Sequence, residues 1–482
     1  MIDNFKINNS YCNLYNGQWI SCENKIPIYS PIDNKFIGDI PAFSKSDVDN
    51  SILNSNESQK SWCNVPIHEK CDILYKTADI IDENIDILTE TLILEIAKDK
   101  LSCISEVKRT ADFIRYTADI AKDLEGKTIS ADSFSGFSKN KLAFVTRVPL
   151  GTILCISPFN YPINLSASKI APALVIGNTV ILKPPTQGSI SALYLAKCFN
   201  DAGLPKGVLN TITGKGSEIG DYLVTHKNID FINFTGSTNT GSHISSISTM
   251  TPTLLELGGK DAAIVLEDAN IEKTAKEIVS GAFSYSGQRC TAIKRVLVLD
   301  TIANKLSSEI LKNLNAIKIG SPYDDSIITP LIDSKTADFV MDLISDALNK
   351  GASLLIGNKR DDNLVYPTLL DNVSLDMRIA WEEPFGPVLP IIRVKSIDEA
   401  IEIANKSEYG LQSSIFTDNI NDAFYIASKL EVGSVQINSK TERGPDHFPF
   451  SGVKASGMGT QGIKYSIEAM SRLKTVVFTY ND

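Results

Sequence analysis

Histidine is scarce in this 482-residue chain: His68, His226, His243 and His447 are the full set. None has the spacing of a metal site or of a catalytic triad, so a general base working near neutral pH has to be a carboxylate raised by partial burial. The eight cysteines (Cys12, Cys22, Cys63, Cys71, Cys103, Cys155, Cys198 and Cys290) are scattered without CxxC or CxxH pairs. That usage excludes a disulfide framework and a structural zinc site, and it fits reduced thiols in a cytoplasmic setting. No apolar run reaches the roughly 20 residues that span a bilayer. The opening Met1-Ile-Asp-Asn-Phe-Lys6 has no basic segment ahead of an apolar stretch, so secretion is not expected. A net charge of −10 disfavours non-specific nucleic-acid binding but leaves room for a local cationic pocket. With 43% hydrophobic and 22% charged residues the composition is that of a globular protein. Its length calls for two or three domains.

What the chain does carry is a pair of short glycine-bearing motifs. Glu256-Leu-Gly-Gly-Lys260 offers one carboxylate and Gly287-Gln-Arg-Cys-Thr291 one thiol. Together they suggest a cysteine nucleophile that forms a thioester and a glutamate that activates water. A lone cysteine is more often a small buried hydrophobe. Gly287 and Arg289 point instead to open, cationic surroundings for Cys290.

Periodicity gives the frame. Asn16-Gly17-Gln18-Trp19 reads as a hairpin turn, and Asp47 to Ala121 has helical apolar spacing. A polar piece, Ser130 to Asn140, precedes an alternating strand from Lys141 to Val148. Apolar strands then recur at Gly151 to Ile156, Thr179 to Leu182, Val208 to Ile212 and Ile229 to Phe234, separated by helix-length segments. A second α/β series follows Leu257, and Lys474 to Tyr480 reads as a last strand. This alternation predicts parallel sheets covered by helices, with ligands beyond the strand C-termini. A terminal strand of that kind often adds to a neighbour's sheet, so a homo-oligomer is expected.

Ile232 to Gly241 runs from a strand through Gly236-Ser237 into a helix, whose first N–H groups can hold a pyrophosphate. The Gly-x-x-x-x-Gly spacing lacks the dinucleotide fingerprint and is weak alone. Leu182-Lys-Pro-Pro-Thr186 adds a stiff turn aiming Lys183 and Thr186 across the strand ends, where an adenosine ribose would lie. A cation there, with no carboxylate to repel a 2′-phosphate, favours NADP over NAD.

Pro158-Phe-Asn160, Lys183-Pro-Pro, Phe234-Thr-Gly-Ser, Glu256-Leu-Gly-Gly-Lys, Gly287-Gln-Arg-Cys and Glu382-Glu-Pro-Phe-Gly-Pro387 resemble the aldehyde dehydrogenase superfamily in order, spacing and nearly full length. Gln288 to Arg295, Lys440 to Phe450 and Gly459 to Met470 look, more narrowly, like its non-phosphorylating, NADP-dependent glyceraldehyde-3-phosphate dehydrogenases. The resemblance implies Cys290 as nucleophile, Glu256 as base and Asn160 as oxyanion donor. It implies cofactor contacts from Ser157, Pro158, Lys183, Thr186, Gly216, Asp221, Gly236, Ser237, Leu257, Glu383 and Phe385. Substrate contacts would come from Arg109, Asn160, Tyr161, Arg289, Cys290, Thr291 and Arg443. Three arginines distant in sequence, Arg109, Arg289 and Arg443, would converge on a phosphate, with Glu442 in a position to pair with Arg443 and blunt it.

The implied fold is an α/β aldehyde dehydrogenase-like fold. Its cofactor domain would take 1–125 and 149–256, its catalytic domain 257–461, and a small β oligomerisation element 126–148 and 462–482, building a homotetramer. Two alternatives stay open: an NADP-linked dehydrogenase of another anionic aldehyde such as succinic semialdehyde, and a catalytically silent structural or binding relative.

Overall fold

The computed structural model describes residues 5–7 and 9–480. The first four residues, on which the expectation about secretion partly rests, lie outside them. Asn16 and Gly17 both take positive φ, 49° and 72°, and close a two-residue hairpin between Asn13–Tyr15 and Gln18–Ile20. Matching the right-handed twist of the flanking strands requires that left-handed pair.

Four helices follow: α1 (Lys45–Trp62), α2 (Ile67–Glu83), α3 (Ile85–Ile96) and α4 (Lys100–Lys122). A capping box between Ser44 and Asp47 starts α1, and the Asp99 carboxylate starts α4 by accepting from the Ser102 N–H at 2.9 Å. Along α4, Cys103, Val107, Ala111, Ile114 and Ala118 repeat at three- and four-residue spacing and are all buried. This stripe packs against α2 and α5 (Asn164–Val175) in one large apolar core.

The first sheet has six strands in the order Leu209–Thr211, Thr179–Lys183, Thr152–Ile156, Phe231–Thr235, Thr253–Glu256 and Gly457–Met458. Five are parallel, and the last is antiparallel. The chain's first strand here, Thr152–Ile156, lies between Thr179–Lys183 and Phe231–Thr235, so the strand order reverses at its C-terminal end. Parallel sheets bind ligands at such a switch point. Helices α5, α6 (Ser189–Asp201), α7 (Gly216–Val224) and α8 (Thr238–Ile247) provide the crossovers.

A second sheet of seven strands runs Ser353–Ile356, Thr368–Asp371, Val388–Val394, Arg295–Leu299, Ala262–Val265, Gln412–Phe416 and Ser434–Ile437. Only the first of these strands is antiparallel to its neighbour. Lys127–Ser130, Lys141–Pro149 and Ser471–Thr479 form a separate antiparallel sheet. Its two faces carry exposed apolar side chains, Phe144, Val476 and Phe478 on one and Leu473 and Val477 on the other.

Two segments depart from the sequence-based grouping. Met458 and Gly457 pair with Leu255 and Glu256, so a piece of 257–461 completes the first sheet. The helix Ile463–Ala469 buries Ile463 and Ile467 in the core of α4 and α5 instead of joining the outlying sheet. Both segments are too short for periodicity to reveal their partners. Among the described residues no helix is long and apolar enough to cross a membrane.

Candidate active site

At the switch point of the first sheet lies a cavity of about 560 Å³. Ser157, Pro158 and Asn160 reach it from the end of Thr152–Ile156, Lys183 and Thr186 from the next strand, and Gly236 and Ser237 from the start of α8. Leu257, Cys290, Glu383 and Phe385 close it from the other side. A second cavity of about 790 Å³ shares Lys183 with the first and is lined by Gly216 and Asp221 of α7. Every residue expected at a cofactor therefore lines one or the other of these two adjoining cavities, which share Lys183. Sequence reasoning missed Lys45 and His243, which line the second, His243 bonded to Asp221 at 2.9 Å. Neither lies in a recognisable motif.

Lys183 is the electrostatic feature of this groove. Its ammonium is buried, donates only to the Pro184 carbonyl at 3.3 Å, and forms no ion pair among the described residues. Burial alone pushes it down to about 8. A buried cation lacking a counter-charge at a helix-lined groove fits an anionic or hydroxyl-rich ligand, and the residues present fit a dinucleotide phosphate and ribose.

Cys290 follows a strained loop. Tyr285, Ser286 and Gly287 all have positive φ, 51°, 52° and 72°. The two non-glycine residues cost on the order of 1–3 kcal/mol each. The Ser286 hydroxyl offsets part of this by donating to the Thr329 carbonyl and accepting from its N–H, both at 2.8 Å. At Gly287 a Cβ would sit 2.4 Å from the Gly386 carbonyl oxygen, so only glycine passes there.

Cys290 emerges with its Sγ 3.7 Å from Glu256 Oε1. The cations that act on it, Lys294 and Arg443, are not the one that the sequence suggests. Arg289 is buried and turns away to donate to the Gly281 carbonyl, so the side chain beside the thiol in sequence is not beside it in space. Burial, followed by the Glu256 charge, pushes the Cys290 thiol up to about 12, with Lys294 and Arg443 pulling weakly the other way. The thiol is nonetheless partly exposed to the cavity.

Glu256, at the end of Thr253–Glu256, is held from two sides. Arg443 Nη1 donates to its Oε2 at 2.9 Å, and the Thr235 hydroxyl donates to the same oxygen at 3.3 Å. Thr235 in turn accepts from the buried Lys169 at 2.6 Å. Burial lowers Lys169 to about 8 despite the Glu256 charge. Asn160 donates its side-chain amide to the Gln288 carbonyl at 2.9 Å, which leaves its second N–H for the cavity.

The three arginines do not converge as one group. Arg109 grips Asp446 through Nε and Nη2, at 2.6 and 2.8 Å, and also donates to the Arg443 carbonyl at 2.7 Å. Arg443 Nε lies 3.8 Å from the same Asp446. Asp446 thus joins Arg109 to Arg443, while Arg289 stands apart and Thr291 is buried with its carbonyl bound to the Thr441 hydroxyl at 2.8 Å. Glu442 pairs with Lys440, not Arg443. The carboxylate that engages Arg443 is Glu256 itself, 187 residues away in sequence. Arg109 and Tyr161 line a separate cleft with Ser102, Ser105 and Asn164.

A thiol facing a carboxylate at the inner end of a dinucleotide-sized groove defines a covalent oxidoreductase site. The chain belongs to the aldehyde dehydrogenase family, whose model matches residues 19–476. It is 55% identical over 468 residues to an NADP-dependent glyceraldehyde-3-phosphate dehydrogenase of Streptococcus equinus, covering 97% of this chain and 98% of the relative. A protein of the same name from Pisum sativum is 46% identical, over 96% of this chain and 94% of its own length. Among solved structures, the NADP-dependent glyceraldehyde-3-phosphate dehydrogenase of Bacillus halodurans C-125, complexed with NADP, superposes with a TM-score of 0.96 at 54% identity, covering 97% of this chain and 99% of that one.

Proposed function

We propose that this protein oxidises glyceraldehyde 3-phosphate to 3-phosphoglycerate with NADP, without inorganic phosphate, through a thioester on Cys290. The observation that carries this reading is the Cys290–Glu256 contact at the end of the groove, in a chain 55% identical to a relative of that name. Cys290 attacks the aldehyde carbon, giving a tetrahedral adduct whose oxyanion is held by the Asn160 amide and the Cys290 N–H. Such donors are worth roughly 3 kcal/mol each. Bound NADP supplies the acceptor for the hydride that the adduct loses. Glu256 then takes a proton from water, and the hydroxide attacks the thioester carbonyl, releasing the acid and restoring the thiol. Lys183, Thr186, Ser237 and Glu383 would hold the cofactor, and Arg443, Arg109 and Tyr161 the substrate, while Arg289, turned to the Gly281 carbonyl, would not reach it.

Three supporting features fill out the reading. The thiol, raised in the protein alone, must lose its proton as the site fills; Glu256 at 3.7 Å would accept it and pass it to solvent before taking a second proton from water. The edge sheet 127–149 with 471–479, covered with exposed apolar side chains, suits assembly into a homotetramer. Free cysteines and an acidic surface suit a cytoplasmic location.

The deciding experiment is a substrate panel with both cofactors. Glyceraldehyde 3-phosphate with NADP should give the highest kcat/KM, and the rate should not change when inorganic phosphate is removed. Higher efficiency with succinic semialdehyde would move the assignment to another anionic aldehyde. Absence of NADPH formation with every aldehyde would make the protein a silent relative.

A further inference from the structure

The reaction above makes no use of the most deeply buried ion pair near the site. Lys98 and Glu106 meet at 2.6 Å with both side chains fully shielded from solvent. Lys98 follows Ala97, whose left-handed φ of 51° ends α3, and Glu106 sits nearly two turns into α4. The Lys98 ammonium also donates to the Asn160 carbonyl at 3.1 Å. It lies over the Tyr161 ring, 3.4 Å from the centroid, and faces Tyr285 at 4.7 Å. The second oxygen of Glu106 accepts the Ile163 and Asn164 N–H groups at 3.0 and 3.1 Å, capping the entry to α5.

Burying two charges costs desolvation that their attraction barely offsets, and apolar replacements of equal volume are often as stable. An apolar pair could fill this space, yet it could not accept two amide N–H groups and donate to one carbonyl. What the charges add is a fixed backbone on both sides of Tyr161-Pro162. From that backbone the Asn160 amide projects to Gln288 on the nucleophile loop, and Tyr161 packs against Tyr285.

We propose that Lys98 and Glu106 form a positioning pair for the oxyanion site, holding the Asn160 backbone so that its side-chain amide stands at the oxygen of the reacting aldehyde. This rests on the functional reading above. Neither residue touches substrate; both act through Asn160. Preorganised donors stabilise an oxyanion only where they already stand at its place, and a displacement of about 1 Å can cost on the order of a hundredfold in rate.

The test is a double-mutant cycle on the intact enzyme, read as the rate of the first NADPH burst with glyceraldehyde 3-phosphate. Lys98→Met should slow the burst by roughly 10- to 100-fold with NADP affinity unchanged. Asn160→Ala should slow it by roughly 100- to 1,000-fold. The double mutant should be no slower than Asn160→Ala, within about twofold, because both changes remove one donor. Losses that multiply would overturn the proposal, since Lys98 would then act elsewhere. If Lys98→Met no longer binds NADP, Glu106→Gln takes its place in the cycle. Failure of both variants to bind NADP would mark the pair as general scaffolding and equally overturn it. Wild-type turnover of the aldehyde tests the functional reading alone, whereas additivity tests only this inference.

Discussion

Lys183 gives the cofactor groove a pH dependence whose size follows from the structure. Its ammonium is buried without a counter-charge, so in the free protein it loses its proton near pH 8. A phosphate or ribose hydroxyl placed against it favours the charged form, and the bound state then holds the proton to higher pH. The sign follows: above pH 8, binding must take up a proton and weakens as pH rises. With a free-state value of about 8, affinity at pH 7 is within about 10% of its limit, at pH 9 it has fallen about five- to tenfold, and the loss levels off at the roughly 10- to 100-fold that the charge contributes. The window from pH 7.5 to 9.5 lies above the ordinary range of imidazoles and of the phosphate second proton, near ~6, and below the Cys290 value of about 12; Lys169, also lowered to about 8, falls inside it, so the comparison with Lys183→Met assigns the slope. Isothermal titration of NADP across that window measures the slope directly. Lys183→Met should bind roughly 10- to 100-fold more weakly at pH 7, the loss of a charge-assisted contact worth about 1.5–3 kcal/mol, and its affinity should no longer change with pH. Affinity flat to pH 9.5 in the wild type, or an unchanged slope in Lys183→Met, would refute the reasoning.

Three further outcomes follow from the site. Because burial holds the Cys290 thiol near 12, its alkylation by iodoacetamide in the cofactor-free enzyme should rise about tenfold per pH unit from 7 to 9, followed by mass spectrometry of the Cys290 peptide; a plateau below pH 9 would contradict this. Arg443→Met breaks a pair whose side chains are 10% and 3% exposed, a loss of about 3–5 kcal/mol. Steady-state turnover should therefore drop on glyceraldehyde as well as on its 3-phosphate, and an effect confined to the phosphorylated aldehyde would show that Arg443 serves only the anion. Thr186→Glu should weaken NADP far more than NAD in paired titrations, and equal weakening would place residue 186 away from the 2′-phosphate.

The parts of this molecule that were legible in the sequence are those written locally. The strands of the first sheet before residue 240 follow from apolar runs, the hairpin from Asn16-Gly17, and the groove from residues lying directly after strand ends. The parts that were not legible are pairings across hundreds of residues. Arg109 lies 337 residues from Asp446 and Arg443 187 from Glu256, so no window on the sequence contains either pair. Adjacency misled in two cases: Arg289 precedes Cys290, but the turn through Tyr285–Gly287 sends its guanidinium to Gly281. Glu442 misled in the same way, being next to Arg443 in sequence but paired with Lys440. Lys98 and Glu106 carry no motif, since a buried charge in an amphipathic helix or in the link between two helices reads from sequence as a solvated one.

The outermost strand of the first sheet, Gly457–Met458, hydrogen-bonds to the strand ending in Glu256. On a ribosome, the strand bearing that carboxylate is finished some 200 residues before the segment that covers its edge. Through that interval the nascent chain holds an open sheet edge of the kind that recruits other strands. A protein truncated before residue 457 keeps every cofactor-facing residue named here and still leaves that edge bare. Its failure would be one of aggregation during synthesis, visible as insoluble product before any loss of chemistry could be measured.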